Sequence, residues 1–201
     1  MIGIDEDELP FSIRPDLTPY LVHLTKKERG NSALDNLREI LRTGVIEGTS
    51  SYVSGPRKAA CFMDVPFVAL KYVCSKKNST RYAPYGVVIT KTFAYRRGTR
   101  PVLYLSDKEK QRLRIPYKEG WRVVKLQYTK NSSGWDSNWL HEREWRCPDE
   151  FKLPKTIRAV LVKTATEAAQ LQETINADPT SFACFPQSII PLKVICQGLD
   201  Y

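Results

Sequence analysis

The chain has 201 residues, is 42% hydrophobic and carries a formal charge of +9 at pH 7, so one domain with a substantial core is expected without help from metals or cross-links. The acidic opening Met1-Ile-Gly-Ile-Asp-Glu-Asp-Glu8 lacks the basic start and apolar run of a secretory signal, and no apolar stretch reaches membrane-spanning length. A cytoplasmic protein with no membrane partner is therefore expected. Five cysteines at wide spacings (61, 74, 147, 184 and 196) match neither a disulfide framework nor paired zinc knuckles, and His23 and His141 are the only histidines, so no metal is expected.

The positive charge is concentrated. Between Lys76 and Lys130 stand 15 Lys or Arg against the 3 acids Asp107, Glu109 and Glu119, which gives +12 and leaves −3 for the remainder. Tyr82, Tyr85, Phe93, Tyr95, Tyr104, Tyr117, Trp121 and Tyr128 run through the same segment. Cations neutralise phosphates and rings stack on bases, so this composition suits nucleic acid, with Arg96, Arg97, Tyr95 and Tyr117 as contacts. Strands that turn aromatics to the core and cations to water produce the same composition, and that reading stands beside it.

In chain order, residues 1–19 are acidic and contain Pro10, Pro15 and Pro19, which predicts an irregular arm before a single domain over 20–201. The domain opens on a strand at Tyr20-Leu-Val-His-Leu24. Ser32 can cap a helix that carries Leu34, Leu37, Ile40 and Leu41 on one face, with Gly44 placed to end it. A second helix is expected from Val65 through Val73, with Pro66 tolerated in its first turn. A third is expected from Ser106, where Ser106 and Glu109 have capping-box spacing. Strands are expected at 85–90, 101–105, 122–128, 157–162 and 189–196, with a helix carrying Ala168, Leu171 and Ile175 between the last two. Thr129 to Gly134 reads as a surface loop. Early helices followed by many strands, without regular β-α-β alternation, predict an α+β fold with mostly antiparallel sheet.

The segment Trp139-Leu-His-Glu-Arg-Glu-Trp-Arg146 concentrates groups capable of chemistry. If it is extended, Glu142, Glu144 and Arg146 share one face and His141, Arg143 and Trp145 the other. Neighbouring carboxylates can divide labour, one staying ionised beside developing positive charge while the other takes a proton. A solvated charge ladder over a core of Trp139 and Trp145 explains the same residues without chemistry.

The order of short motifs separates these readings. Tyr20-Leu-Val-His-Leu-Thr25 is followed by Leu37-Arg-Glu-Ile-Leu-Arg-Thr-Gly-Val-Ile46, then Ala60-Cys-Phe-Met-Asp-Val-Pro66. Tyr85-Gly-Val-Val-Ile89 and Pro101-Val-Leu-Tyr104 come next, and Glu142-Arg-Glu-Trp-Arg146 closes the series. Over roughly residues 20–165 this order resembles the abortive-infection family of bacterial phage-resistance proteins. More distantly, it resembles the ADP-ribosyltransferase fold, including DNA-modifying toxins of toxin-antitoxin pairs.

The resemblance implies an ADP-ribosyltransferase-like split sheet, NAD as substrate, a nucleic-acid target and a cognate antitoxin. It matches His23, with Thr25 beside it, to the first-strand ribose position, Tyr85 to the nicotinamide-packing aromatic, and Glu144 to the late catalytic glutamate. Glu142 matches the position that steers the acceptor. Tyr72, Tyr82 and Tyr104 compete with Tyr85, His23 also fits a core histidine, and Arg57 fits either a phosphate ligand or an exposed cation. Two other classes stay open. Asp136 with Glu150-Phe-Lys152 imitates a metal-dependent nuclease, although Pro148 and Pro154 bracket that run. A non-catalytic module that binds nucleic acid or an acidic partner needs only the basic stretch. The oligomeric state stays open.

Overall fold

The first strand, β1 (Tyr20–Leu24), lies where the alternation of the sequence places it, and Ser32 and Gly44 delimit α1 (Ala33–Thr43). The Ser32 side chain accepts from the Asp35 N–H, and Gly44 takes the left-handed conformation that a C-terminal cap requires. The computed structural model describes residues 16–28, 30–76, 81–126, 130–131, 134–135 and 139–201. Asp136 and most of the N-terminal arm lie outside these residues.

The chain continues through β2 (Val45–Glu47), β3 (Ala59–Phe62), α2 (Leu70–Val73), β4 (Gly86–Thr90), α3 (Lys91–Arg96), β5 (Arg100–Pro101), β6 (Leu103–Leu105) and α4 (Asp107–Arg112). It then forms β7 (Val123–Lys125), the paired β8 (Lys130–Asn131) and β9 (Gly134–Trp135), β10 (Trp145–Pro148), β11 (Glu150–Lys152), β12 (Thr156–Ile157) and β13 (Ala159–Val162). The last elements are α5 (Ala165–Ala177), β14 (Phe185–Pro186), β15 (Ile189–Pro191) and α6 (Leu192–Ile195). Helix and strand are mixed, as expected.

Two sheets organise the site. One has the order β1-β4-β13-β15 and the other β3-β10-β5. All their pairs are antiparallel except β13 with β15. They meet where Val22 of β1 bridges Met63, just beyond β3, through two main-chain hydrogen bonds of 2.9 and 2.8 Å.

Both faces of the first sheet are covered, which explains why β4 and β13 read as continuous apolar runs rather than alternating ones. Leu21, Val87, Ile89, Val160 and Val162 join Leu37 and Leu41 of α1, Leu171 and Ile175 of α5, and Phe62 and Phe151 in one core. Val22, Val88, Ala159 and Leu161 join Met63, Leu70 and Leu192 in the other.

Several predicted elements are shorter or different. After Pro66 the chain makes a 3-10 turn over Phe67–Ala69, so the second helix is only Leu70–Val73. The run at 101–105 splits after Pro101: the Val102 N–H donates to the Glu144 carbonyl, and β6 pairs with β7 elsewhere. The run at 157–162 breaks at Arg158, because β12 pairs with β14 while β13 joins the first sheet. Tyr117–Arg122 is a 3-10 helix, which delays the expected strand to Val123. The stretch 189–196 stops being a strand at Pro191 and turns into α6. The presumed loop at 129–134 contains the strands β8 and β9. The Ser106 capping box is present as read.

Phe151 is 1% exposed, with its ring edge-on to Phe62 at 5.0 Å and to Phe93 at 5.9 Å. Phe151→Ala removes that contact between the two sheets and should cost about 3–5 kcal/mol. The expected reading is a lower urea midpoint with an unchanged slope; a midpoint like that of the wild type would contradict the assigned core.

Candidate active site

The residues from Leu140 to Arg146 do not run extended. Leu140–Glu142 form a 3-10 turn, and the strand begins only at Trp145. Trp139 (φ 57°) and Arg143 (φ 45°), on either side of the turn, are both left-handed. Bulky side chains rarely adopt this conformation, which costs on the order of 1–3 kcal/mol each. Neighbouring groups hold the strain in place. Arg81 lies over the Trp139 ring at 4.2 Å, and Arg143 donates to the main-chain carbonyls of Asp64 (2.8 Å) and Asp16 (2.6 Å). Expecting Glu142 and Glu144 to be successive members of one strand face was therefore wrong, because the left-handed Arg143 lies between them. Glu144 and Arg146 do share a side.

Both glutamates are buried, Glu142 at 6% and Glu144 at 7% exposure, but their surroundings differ. The Glu144 carboxylate takes a two-pronged grip from Arg146, Nε to Oε1 at 2.8 Å and Nη2 to Oε2 at 3.1 Å. Burial works against the Arg146 charge, but the bond to Glu144 and its negative charge outweigh it and raise the arginine pKa. Glu142 has no such cation: its Oε1 accepts from the Tyr82 hydroxyl. Burial pushes the Glu142 carboxyl up to about 7; the Tyr82 hydrogen bond opposes the rise and the charge of Glu144 adds to it.

His141 Nε2 lies 4.0 Å from Glu142, but burial and then Arg81 lower its pKa, so at neutral pH it is mainly uncharged and forms no ion pair. Tyr104 completes the frame: its hydroxyl accepts from the Glu144 N–H at 3.0 Å and donates to the Trp139 carbonyl at 3.2 Å. The Cys61 thiol faces Glu144 and is pushed up by burial and by that negative charge, so it is a poor nucleophile.

The other expected site residues are distributed unevenly. Register places His23 opposite Val87, and its ring contacts Phe62 edge-on at 5.9 Å, so it belongs to the face that carries the first core. Tyr85 packs on that core too, and its hydroxyl donates to Glu167 of α5 at 2.8 Å. Arg146 is opposite Cys61 and alternates with Trp145 and Phe62, so Glu144 lies on the other face. The structure thus joins Glu142 with Glu144 but does not bring Tyr85 or the His23 ring to their side. His23 does lie at the seam, with Nδ1 donating to the Cys61 carbonyl at 2.8 Å.

Thr25 ties β1 to Ala33 and Tyr85 through its hydroxyl, and Arg57 is taken up by Asp149 at the far end of β10. Tyr95 and Tyr117 are exposed, Arg97 lies over Phe93, and Arg96 is exposed. Glu150 and Lys152 are exposed and face one another at 3.3 Å on β11, and no group of three or more potential metal ligands occurs among the described residues. No described helix is long and apolar enough to cross a membrane.

Sequence reasoning left Tyr82 and Tyr104 as competitors for a different role and did not single out Arg81 or Trp121. Each reaches the pair from a distant segment, 60 positions away for Tyr82 and 40 for Tyr104. Only the motif order could have pointed to them.

No protein-family model matches the chain, and no curated protein matches it. Two solved structures are similar to it: Thermus sp. 2.9 DarT in complex with NAD+, at 14% identity and a TM-score of 0.48, and the same protein with carba-NAD+, at 15% and 0.47. Each match covers 90% of this chain and 97% of the other.

The Glu142 carboxyl, raised from its ordinary 4.5 to about 7, binds its proton more tightly in the folded than in the unfolded chain. That contribution is complete below pH 4.5 and is lost as pH rises through about 7. Glu142→Gln keeps an acceptor for Tyr82 and cannot ionise. Across that range the variant should therefore gain stability relative to wild type, on the order of 2 kcal/mol. Parallel stability-against-pH curves from urea unfolding would show that Glu142 does not hold a raised pKa.

Proposed function

We propose that this chain is an ADP-ribosyltransferase that takes NAD as substrate and modifies nucleic acid or a nucleic-acid-associated target, as a toxin or defence effector. The observation that carries the reading is the buried pair of unequal glutamates, one clamped by a cation and one with a raised pKa. The order of motifs along the sequence supports it.

Departure of nicotinamide leaves a ribose with oxocarbenium character. A carboxylate held in a water-poor site stabilises that developing positive charge more than it stabilises neutral substrate. Glu144 suits this task because Arg146 fixes its plane and orientation. The clamp offsets part of its negative field and leaves further oxygen lone pairs for a ribose hydroxyl. Glu142, with a carboxyl near 7, suits the second task of taking a proton from the attacking group at neutral pH. Tyr82, whose own hydroxyl pKa is raised by burial and then by Glu142, stays a donor and holds that carboxyl in place.

Incubation of purified protein with labelled NAD, DNA, RNA and cell lysate, without added magnesium, should transfer label. Glu144→Gln should lower the rate about a hundredfold or more with the fold intact. Glu142→Gln should impair transfer more than NAD hydrolysis, because water needs less help than a specific acceptor. Unchanged turnover in Glu144→Gln would remove it from the catalytic role. Chelator-sensitive cutting of nucleic acid without NAD would replace the transferase reading with a nuclease.

A further inference from the structure

A concavity of about 250 Å3 lies between α3 and the strand pair β12 and β14, lined by Ile89, Thr90, Phe93, Arg96, Pro154, Thr156, Ile157, Arg158 and Gln187. Its construction is two-sided. Ile89 and Ile157, each 2% exposed, form an apolar floor with the half-buried Phe93 and Pro154. Arg96 and Arg158, 62 positions apart in sequence, provide cations, and none of the lining residues is acidic. Gln187 holds Arg158 through an Nη1 to Oε1 contact of 3.4 Å.

The three arginines at the end of α3 are not equivalent. Arg97 lies over the Phe93 ring at 5.3 Å, and Arg100 lies over Tyr95 at 3.8 Å while donating to the carbonyls of Tyr95 and Thr99. Arg96 is exposed and has neither a hydrogen bond nor an ion pair among the described residues. A planar apolar floor under two guanidinium groups matches a flat ring attached to a phosphate. The volume is slightly under the ~300 Å3 typical of the smallest ligand pockets, so one such unit fits rather than two.

The position matters as much as the chemistry. Ile89 and Ile157 belong to the first core, whereas Glu144 and Arg146 occupy the opposite face. We propose that this groove is an accessory site for one nucleotide unit, its phosphate between Arg96 and Arg158 and its base on the Phe93 and Pro154 floor, separated by the sheet from the glutamate pair. The proposal deepens the nucleic-acid part of the function above and does not depend on its NAD chemistry.

The test is fluorescence anisotropy at low salt with a labelled single-stranded oligothymidylate, alongside competition by thymidine monophosphate. Arg96→Glu with Arg158→Glu should weaken strand binding at least tenfold and reduce the salt slope by about 2, one per lost phosphate contact. Reversing the exposed pair Lys26 and Lys27 applies the same change in net charge and should change affinity less than about threefold. The milder Arg96→Ala with Arg158→Ala should show the same order of effects. NAD hydrolysis should be unchanged in all of them, so a lost groove and a lost transferase are read separately. Strand affinity far above that of the mononucleotide identifies a strand as the natural source, equal affinity a free nucleotide; either supports the groove. Equal losses from the two charge reversals, or no binding of either probe by wild type, would overturn it.

Discussion

Arg146 is the residue on which the candidate site depends. Its guanidinium is 3% exposed and uses all three nitrogens: two hold Glu144, Nη1 donates to the Trp121 carbonyl at 3.0 Å and Nη2 also reaches the Tyr52 carbonyl at 3.3 Å. One side chain on β10 thus ties together the 3-10 helix at 117–122, the loop near Tyr52 and the carboxylate. A buried charge of this kind is tolerated only when paired and hydrogen-bonded, and a half-removed pair is costly, about 3–5 kcal/mol. Such a pair adds little to stability compared with an apolar replacement, so its presence favours a role in orientation.

Holding Glu144 in this way has a consequence for Glu142. With the one nearby buried guanidinium spent on Glu144, Glu142 faces a tyrosine and a like charge, which is why its carboxyl rises rather than falls. The strained turn enforces the arrangement. Left-handed backbone at both Trp139 and Arg143 lets the chain reverse direction between the two acids, so they approach Tyr82 and Arg146 separately instead of projecting side by side. Asp64 links this turn to the first sheet, since its N–H donates to the Glu142 carbonyl and its carboxylate pairs with Lys91 at 2.8 Å.

Features set by local chemistry were legible in the sequence. The Ser32 and Gly44 caps, the Ser106 capping box and the first strand depend on residues a few positions apart, and all are present. What escaped was decided over longer distances. Pro101 and Pro191 interrupt apolar runs that alternation alone reads as continuous strands, and Arg158 separates two runs that pair with different partners. The pattern Glu-x-Glu identified both acids, yet the extended geometry assigned to them failed because nothing in the local sequence announces a left-handed arginine. The unequal environments come from Tyr82, Tyr104 and Arg146, and only folding reveals which acid each one touches.

The central claim is that Glu142, and not its neighbour, holds a proton near neutral pH inside the folded protein. Carbon-13 labelling of glutamate side-chain carboxyls, with assignment by Glu142→Gln and Glu144→Gln, follows that proton directly by NMR titration. The account predicts that the resonance lost in Glu142→Gln titrates with a midpoint of about 7 in the native protein. A midpoint for that resonance at the ordinary 4.5 would contradict it, and with it the division of labour between the two acids.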